Sequence, residues 1–321
     1  MRTFFLALLI AAIAPLAAHD ARAQASFPDH PLRLIVPYAP GGSVDIVGRL
    51  VAGKLSEVLG QQVVVENRPG GGSTIGVGAV AKAAPDGYTL VLADIAFGAS
   101  PSLIAKMPFD PVKDFQPIAM VALLPSILIV DPSLPASSVK ELVALAKSQP
   151  GKLNYSSSGV GSMNYLAGEQ FNALNGTDIV HVPYQSGGQA IAAILGGQTQ
   201  LIITTIPPAL SQVRAGKVRA LAVSGKRRSP LLPDVPTFEE AGFGNFDVSL
   251  WQGILAPAGT PGEVVAKLNG AINRVLQMTD VREKIVSLGA DPAGGTPEDL
   301  GRFIQGEISR WGKLIKPDVK K

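Results

Sequence analysis

Apolar and polar positions along this chain switch between two periods. Short, β-branched apolar runs at 32–38, 62–67, 88–94, 179–184, 200–205 and 218–224 read as buried strands. Between them the apolar positions recur at helical spacing. Over Asp45–Leu59 that spacing puts Ile46, Val47, Leu50, Val51, Leu55, Val58 and Leu59 on one face, and Gly60 supplies the stop. Ser138 and Glu141 form a capping-box pattern for a helix that ends before Pro150. Thr260-Pro261 and Thr296-Pro297 each predict a cap followed by proline at the first helical position. Strands alternating with helices predict α/β layers with mostly parallel sheets.

Two longer segments break the alternation. Residues 117–132 are extended and almost uncharged, with Pro125 near the middle, and residues 246–257 form a second such run around Trp251. Each is long enough to leave one sheet and enter another. Two crossings predict two α/β lobes joined by a hinge, with a cleft between them. The expected division is 26–124 plus 250–321 for the first lobe and 125–249 for the second. A single sheet with long edge strands is the alternative that the pattern leaves open.

The N-terminus changes the picture. Arg2 is followed by an uncharged apolar stretch from Phe4 to Ala18, and small residues lead to Ala23-Gln24-Ala25. This is the pattern of a secretory signal peptide, residues 1–25, with cleavage after Ala25. Its removal takes away Arg2, Asp20 and Arg22, so the formal charge falls from +3 to +2. There is no cysteine, which excludes disulfides, thiol catalysis and cysteine zinc sites. The simplest compartment is a bacterial periplasm. So small a net charge argues against nucleic-acid binding, and Lys226-Arg227-Arg228 reads as a solvated loop.

Catalytic chemistry is poorly supplied. Of three histidines, His19 lies in the signal segment and His30 near the mature N-terminus. His181 sits in a strand pattern, where a core or strand-end role fits better than catalysis. No nucleophile elbow, Walker loop, metal cage or cofactor motif stands out, so no metal or cofactor is expected. Gly76-Val77-Gly78 fits a dinucleotide fingerprint only weakly, and helix packing explains it better. Anion-binding turns, by contrast, are plentiful. Pro40-Gly41-Gly42-Ser43, Asn67 to Thr74 and Tyr184 to Gly188 each follow a predicted strand, and Tyr155 to Ser162 precedes a helical stretch containing Leu166, Gln170 and Phe171. Glycines let backbone N–H groups converge, serines add donors, and a helix N-terminus adds partial positive charge. Four such turns suggest a shared cleft, unless they are merely tight turns.

The residues Val36-Pro-Tyr-Ala-Pro-Gly-Gly-Ser-Val-Asp45, Val64-Val-Glu-Asn-Arg-Pro-Gly-Gly71 and Ala84-Pro-Asp-Gly-Tyr-Thr-Leu90 carry a family resemblance. So do Asp110-Pro-Val-Lys-Asp-Phe115, the Ser157–Ser162 loop, His181-Val-Pro-Tyr184, Leu232-Pro-Asp-Val-Pro-Thr237 and Ala256-Pro-Ala-Gly-Thr-Pro261. In this order, from about residue 30 to the C-terminus, they resemble the substrate-binding receptors of the tripartite tricarboxylate transporter family, the Bug receptors. The resemblance implies a periplasmic-binding-protein-like fold that closes on a small carboxylate. It places Tyr38, Gly41, Gly42 and Ser43 in a first-lobe carboxylate loop and Ser157, Gly161 and Ser162 in a second-lobe counterpart. Tyr184, from the turn after the His181 strand, joins the expected ligand set.

Departures from the family pattern bear on the ligand. Tyr165 stands where many members have His, Gln185 where many have Lys or Arg, and Thr204 where many have an acid. The missing acid argues against an amino-acid ligand, although Asp94 is placed to substitute. Phe97 is expected either at the cleft wall, stacked on an aromatic acid, or in interlobe packing. The expected function is a non-enzymatic, monomeric receptor that hands a di- or tricarboxylate or aromatic acid to a membrane permease. A sensor feeding a membrane signalling partner and a secreted serine hydrolase are the alternatives.

Overall fold

The structure is a computed structural model that describes residues 27–315, so the signal-peptide reading of residues 1–25 lies outside the described residues. The first lobe opens with β1 (Leu32–Val36), α1 (Ser43–Leu59), β2 (Val63–Asn67), α2 (Thr74–Ala81), β3 (Thr89–Asp94) and α3 (Ile95–Leu103). A long strand, β4 (Phe115–Val130), then crosses to α4 (Val139–Ser148), β5 (Asn154–Ser157), α5 (Met163–Asn175), β6 (Val180–Pro183), α6 (Gly187–Leu195), β7 (Leu201–Thr205), α7 (Ile206–Arg214) and β8 (Arg219–Val223). The chain returns through β9 (Ser249–Pro257) and ends with α8 (Gly262–Gln277), α9 (Thr279–Ser287), β10 (Asp291–Gly294) and α10 (Pro297–Leu314).

Strand pairing explains the two lobes. In the first, β1 lies parallel between β2 and β3; in the second, β5 lies parallel between β6 and β7. The antiparallel pairs all involve β4 or β9, the crossing strands. From Phe115 to Pro125, β4 pairs with β9; from Ser126 to Val130 it pairs with β7. The result is a periplasmic-binding-protein-like α/β fold with two lobes joined at the crossings. In the parallel sets, each strand's carboxyl end and the following helix's N-terminus meet at one edge, the common place for ligands in α/β folds.

Local chemistry accounts for most element ends. Gly60 stops α1 in the left-handed region at φ 70°. Thr296 and Asp299 form a full capping box on α10. Thr260 differs from expectation: its hydroxyl turns back to Pro257 O at 2.8 Å, and Pro261 itself occupies the cap position of α8. Ile46 also leaves the predicted buried face. It is 39% exposed and looks into the cleft. Gly76 lies inside α2, where a Cβ would come within 2.7 Å of Arg68 O, so close packing on the first-lobe loops requires glycine there.

Candidate functional site

The β1–α1 loop is built around a buried carboxylate. Asp45, 3% exposed, accepts hydrogen bonds from Gly41 N–H (2.9 Å), Asn67 Nδ2 (2.8 Å) and Arg49 Nε (3.1 Å). Asn67 also donates to Tyr38 O at 3.0 Å. Burial acts to raise the Asp45 pKa, but the bonds from Arg49, Gly41 and Asn67 outweigh it and hold the group below its ordinary value. Gly41 sits at φ 89°, a conformation that favours glycine. Its N–H is therefore committed to Asp45 rather than open for a ligand. α1 starts at Ser43 with no side-chain cap, so its first-turn N–H groups remain to be satisfied where Gly42 and Ser43 face the cleft.

Asp94 lies at the end of β3 and caps α3. Its Oδ1 accepts from Tyr38 Oη (2.8 Å) and from Ala96 N–H (3.1 Å). Burial pushes this carboxyl up to about 6, against the lowering effect of those two bonds. The same burial, together with the neighbouring Asp94, raises the Tyr38 hydroxyl well above its usual range.

The second lobe supplies matching turns. Ser162 caps α5: its Oγ accepts from Tyr165 N–H at 3.3 Å and donates to Gly159 O at 2.6 Å. Gly161, at φ 85°, precedes it. Ser186 caps α6 through Gln189 N–H, and Thr205 starts α7 without a side-chain cap. Asn164 is fixed by its bond to Ile203 O at 2.8 Å.

These pieces enclose a cleft of about 790 Å³. Five helices present their N-terminal residues to it: α1 (Gly42, Ser43), α3 (Asp94 to Ala96), α5 (Ser162 to Asn164), α6 (Ser186 to Gly188) and α7 (Thr205, Pro207). Leu124 and Leu250, paired across β4 and β9, contribute apolar surface. Among the described residues no Lys or Arg lines the cleft, and Asp94 is its one acidic side chain. Such a site favours anions through backbone dipoles rather than fixed cations.

Of the residues singled out in the sequence, Tyr38, Gly41, Gly42, Ser43, Asp94, Gly161, Ser162 and Thr204 are brought together here. Three are not. Phe97 is 1% exposed and packs its ring against Phe109 and Phe115, 6.0 and 5.2 Å away between centroids, because the aromatic cluster offers full burial. Ser157 is fully buried; its Oγ meets His181 Nε2 at 2.6 Å and accepts from Gly159 N–H at 2.9 Å. Tyr184 packs on the second lobe's smaller core, with its hydroxyl 3.3 Å from Gln198 Oε1. Of the four predicted anion turns, three converge on this cleft, while Gly71 and Gly72 of the other line a neighbouring cavity.

Asn164 and Thr205 also line the cleft and escaped sequence reasoning, whereas Ser158 lies in the predicted Tyr155 to Ser162 turn without having been named in the ligand set. Ser186 had a readable signal, since Ser186-Gly-Gly-Gln189 is a helix-start pattern. The Ser157–His181 contact resembles a nucleophile and its base. Yet Ser157 is sealed from the cleft, and no acid bonds His181 among the described residues.

A two-lobed fold with an anion-seeking cleft between its lobes defines a solute-binding receptor. The sequence profile of the tripartite tricarboxylate transporter family receptors matches residues 47–318, and the chain belongs to that family. The Bordetella pertussis protein BugT is 38% identical over 295 residues, 91% of this chain and 90% of that one. The solved structure of Rhodopseudomonas palustris Rpa4515 with adipate is 36% identical, with a TM-score of 0.78, covering 90% of this chain and 97% of the other. MatC from Rhodopseudomonas palustris with bound malate is also 36% identical, with a TM-score of 0.77 over 90% of this chain and all of the other.

Proposed function

We propose that this receptor captures a small organic carboxylate in the periplasm and presents it to a membrane permease. The observation that carries the reading is the convergence of five helix N-termini on a cleft that, among the described residues, no basic side chain lines. Similar receptors hold adipate and malate, both dicarboxylates. First-turn N–H groups of α1 and of α5, with the hydroxyls of Ser43, Ser158 and Thr204, would hold the two ends of such an acid. The lobes would divide as 26–124 plus 250–321 and 125–249. In support, β4 exchanges its pairing partners between Pro125 and Ser126, and β9 begins at Ser249. Binding between lobes of one chain requires no second copy, so the receptor is taken as a monomer. It is read as non-enzymatic because Ser157 is fully buried and neither it nor His181 lines the cleft.

The test is calorimetric titration and thermal melting with malate, adipate, citrate, terephthalate and simple monocarboxylates. A true ligand at 100 times its Kd adds about 2.7 kcal/mol of stability. Heat of binding and a raised melting temperature for at least one acid are expected. No response to any of them would overturn the reading.

A further inference from the structure

A second cavity of about 590 Å³ lies beside the carboxylate cleft, between α3 of the first lobe and α5 and β6 of the second. The two share a wall at Ala96 and Gly161, but only this one contains a glutamate. α3 turns its N-terminus to the cleft and its C-terminal turn, Ser100 to Ile104, to this cavity. A helix C-terminus carries partial negative charge on its unpaired carbonyls. Glu169 adds a carboxylate, and among the described residues no Lys or Arg lines the space. Glu169 Oε1 accepts from Tyr155 Oη at 2.7 Å, whereas Oε2 has no protein donor among the described residues.

The remaining walls are aromatic and apolar. Tyr165 and His181 stand edge to face with centroids 4.9 Å apart, and Leu103, Ile104, Val160 and the Gly71-Gly72 turn also line the space. Burial depresses the His181 pKa, so this imidazole is neutral at neutral pH and adds no positive charge. The His181 Nε2 is engaged with Ser157, and the Tyr165 hydroxyl has no hydrogen-bond partner among the described residues. A carboxylate, two aromatic rings and a helix C-terminus around apolar surface make a complementary setting for an alkylammonium group.

We propose that this second cavity is a binding site for a small organic cation, with the ammonium group on Glu169 and the alkyl part against Leu103, Ile104 and Val160. The proposal stands apart from the carboxylate reading, since it uses a different cavity and a ligand of opposite charge. It also gives Glu169 a role beyond its bond to Tyr155.

The experiment titrates the full mature chain with n-butylammonium chloride by calorimetry, with sodium chloride at matched ionic strength as the blank. Saturable binding is expected. Glu169→Gln should weaken it at least tenfold. Val160→Trp, at a position 59% exposed and therefore safe for folding, should abolish it by filling the cavity. Asp94→Asn should leave it within about twofold, because Asp94 is the acid of the other cleft. Absence of saturable binding would overturn the proposal. So would equal affinity in Glu169→Gln and Val160→Trp, or loss in Asp94→Asn, which would put the cation in the carboxylate cleft. Should Glu169→Gln fail to fold, Val160→Trp decides alone.

Discussion

Asp94→Asn isolates the cost of keeping an acid in an anion-binding cleft. The unfolded chain releases this proton near 3.8, and burial holds it in the folded state to about 6. Between those values the folded state binds more protons than the unfolded one. Stability from this group is therefore complete below about pH 4, falls as pH rises through about 6, and is lost above it. At 1.36 kcal/mol per pH unit, the difference between 3.8 and about 6 is worth about 3 kcal/mol. Asparagine keeps an oxygen for Tyr38 Oη and Ala96 N–H and carries no charge. The variant should thus be more stable than the parent by up to about 3 kcal/mol at pH 8 and nearly equal to it at pH 4. Urea unfolding of both proteins at pH 4, 5, 6, 7 and 8 measures this directly. Parallel stability curves across that range would refute the reasoning, because they would mean that Asp94 titrates alike in both states.

The remaining predictions concern the cleft and its support. Carboxylate affinity should fall as pH rises past about 6, where Asp94 becomes an anion facing an anion, and Asp94→Asn should flatten that profile in calorimetry. Gly41→Val meets no atom within 4 Å of its Cβ but must hold φ 89°, so strain of about 1–3 kcal/mol should shift the loop. Carboxylate binding should weaken at least tenfold while a cooperative thermal melt persists. Ser162→Ala removes the α5 cap and should cost about 1 kcal/mol in urea unfolding, with weaker carboxylate binding. Gly168→Ala would put a Cβ 2.3 Å from Cε2 of the buried Tyr155 ring, an overpacking cost of about 3 kcal/mol read from the urea midpoint.

Strands with β-branched, apolar composition were legible, because a buried parallel strand has few other ways to read. β5 was not: Asn154-Tyr-Ser-Ser157 is polar by composition and looks like a loop. It is buried all the same, because Ser156 Oγ bonds Ala190 O at 2.9 Å and Ser157 Oγ bonds His181. α3 escaped for a similar reason. Gly98 and Pro101 read as breakers, yet a Cβ at Gly98 would come 2.9 Å from Glu307 Cβ, so glycine is what lets α3 pack on α10. Within the cleft, glycine–serine turns were readable because their conformation is local. Phe97 was ambiguous because its burial depends on Phe109 and Phe115, which the chain brings in from a later loop and strand. The commitment of Gly41 N–H to Asp45 was invisible for the same reason: it follows from Asn67 and Arg49 fixing that carboxylate from two other directions.

That no basic side chain among the described residues lines the cleft has a physical consequence for an empty receptor. A buried lysine without its ligand is an unpaired charge, costly to the open state and slow to release an anion. Helix N-termini avoid both problems. Each carries about half a positive charge that cannot titrate, so it costs no buried ion when the cleft holds no ligand. Of the five, α1 keeps a full set of first-turn donors, since Asp94, Ser162 and Ser186 cap α3, α5 and α6 and Pro207 and Pro208 bring no N–H to α7. Asp94 then sets the upper limit. Placed at the α3 N-terminus, its carboxylate offsets the dipole of that helix first, so a ligand must compete with it or meet it protonated. The cleft therefore balances a distributed positive field against one titratable acid. Affinity in it is expected to follow how far that acid is ionised, so pH and the single change at Asp94 should act on the same quantity.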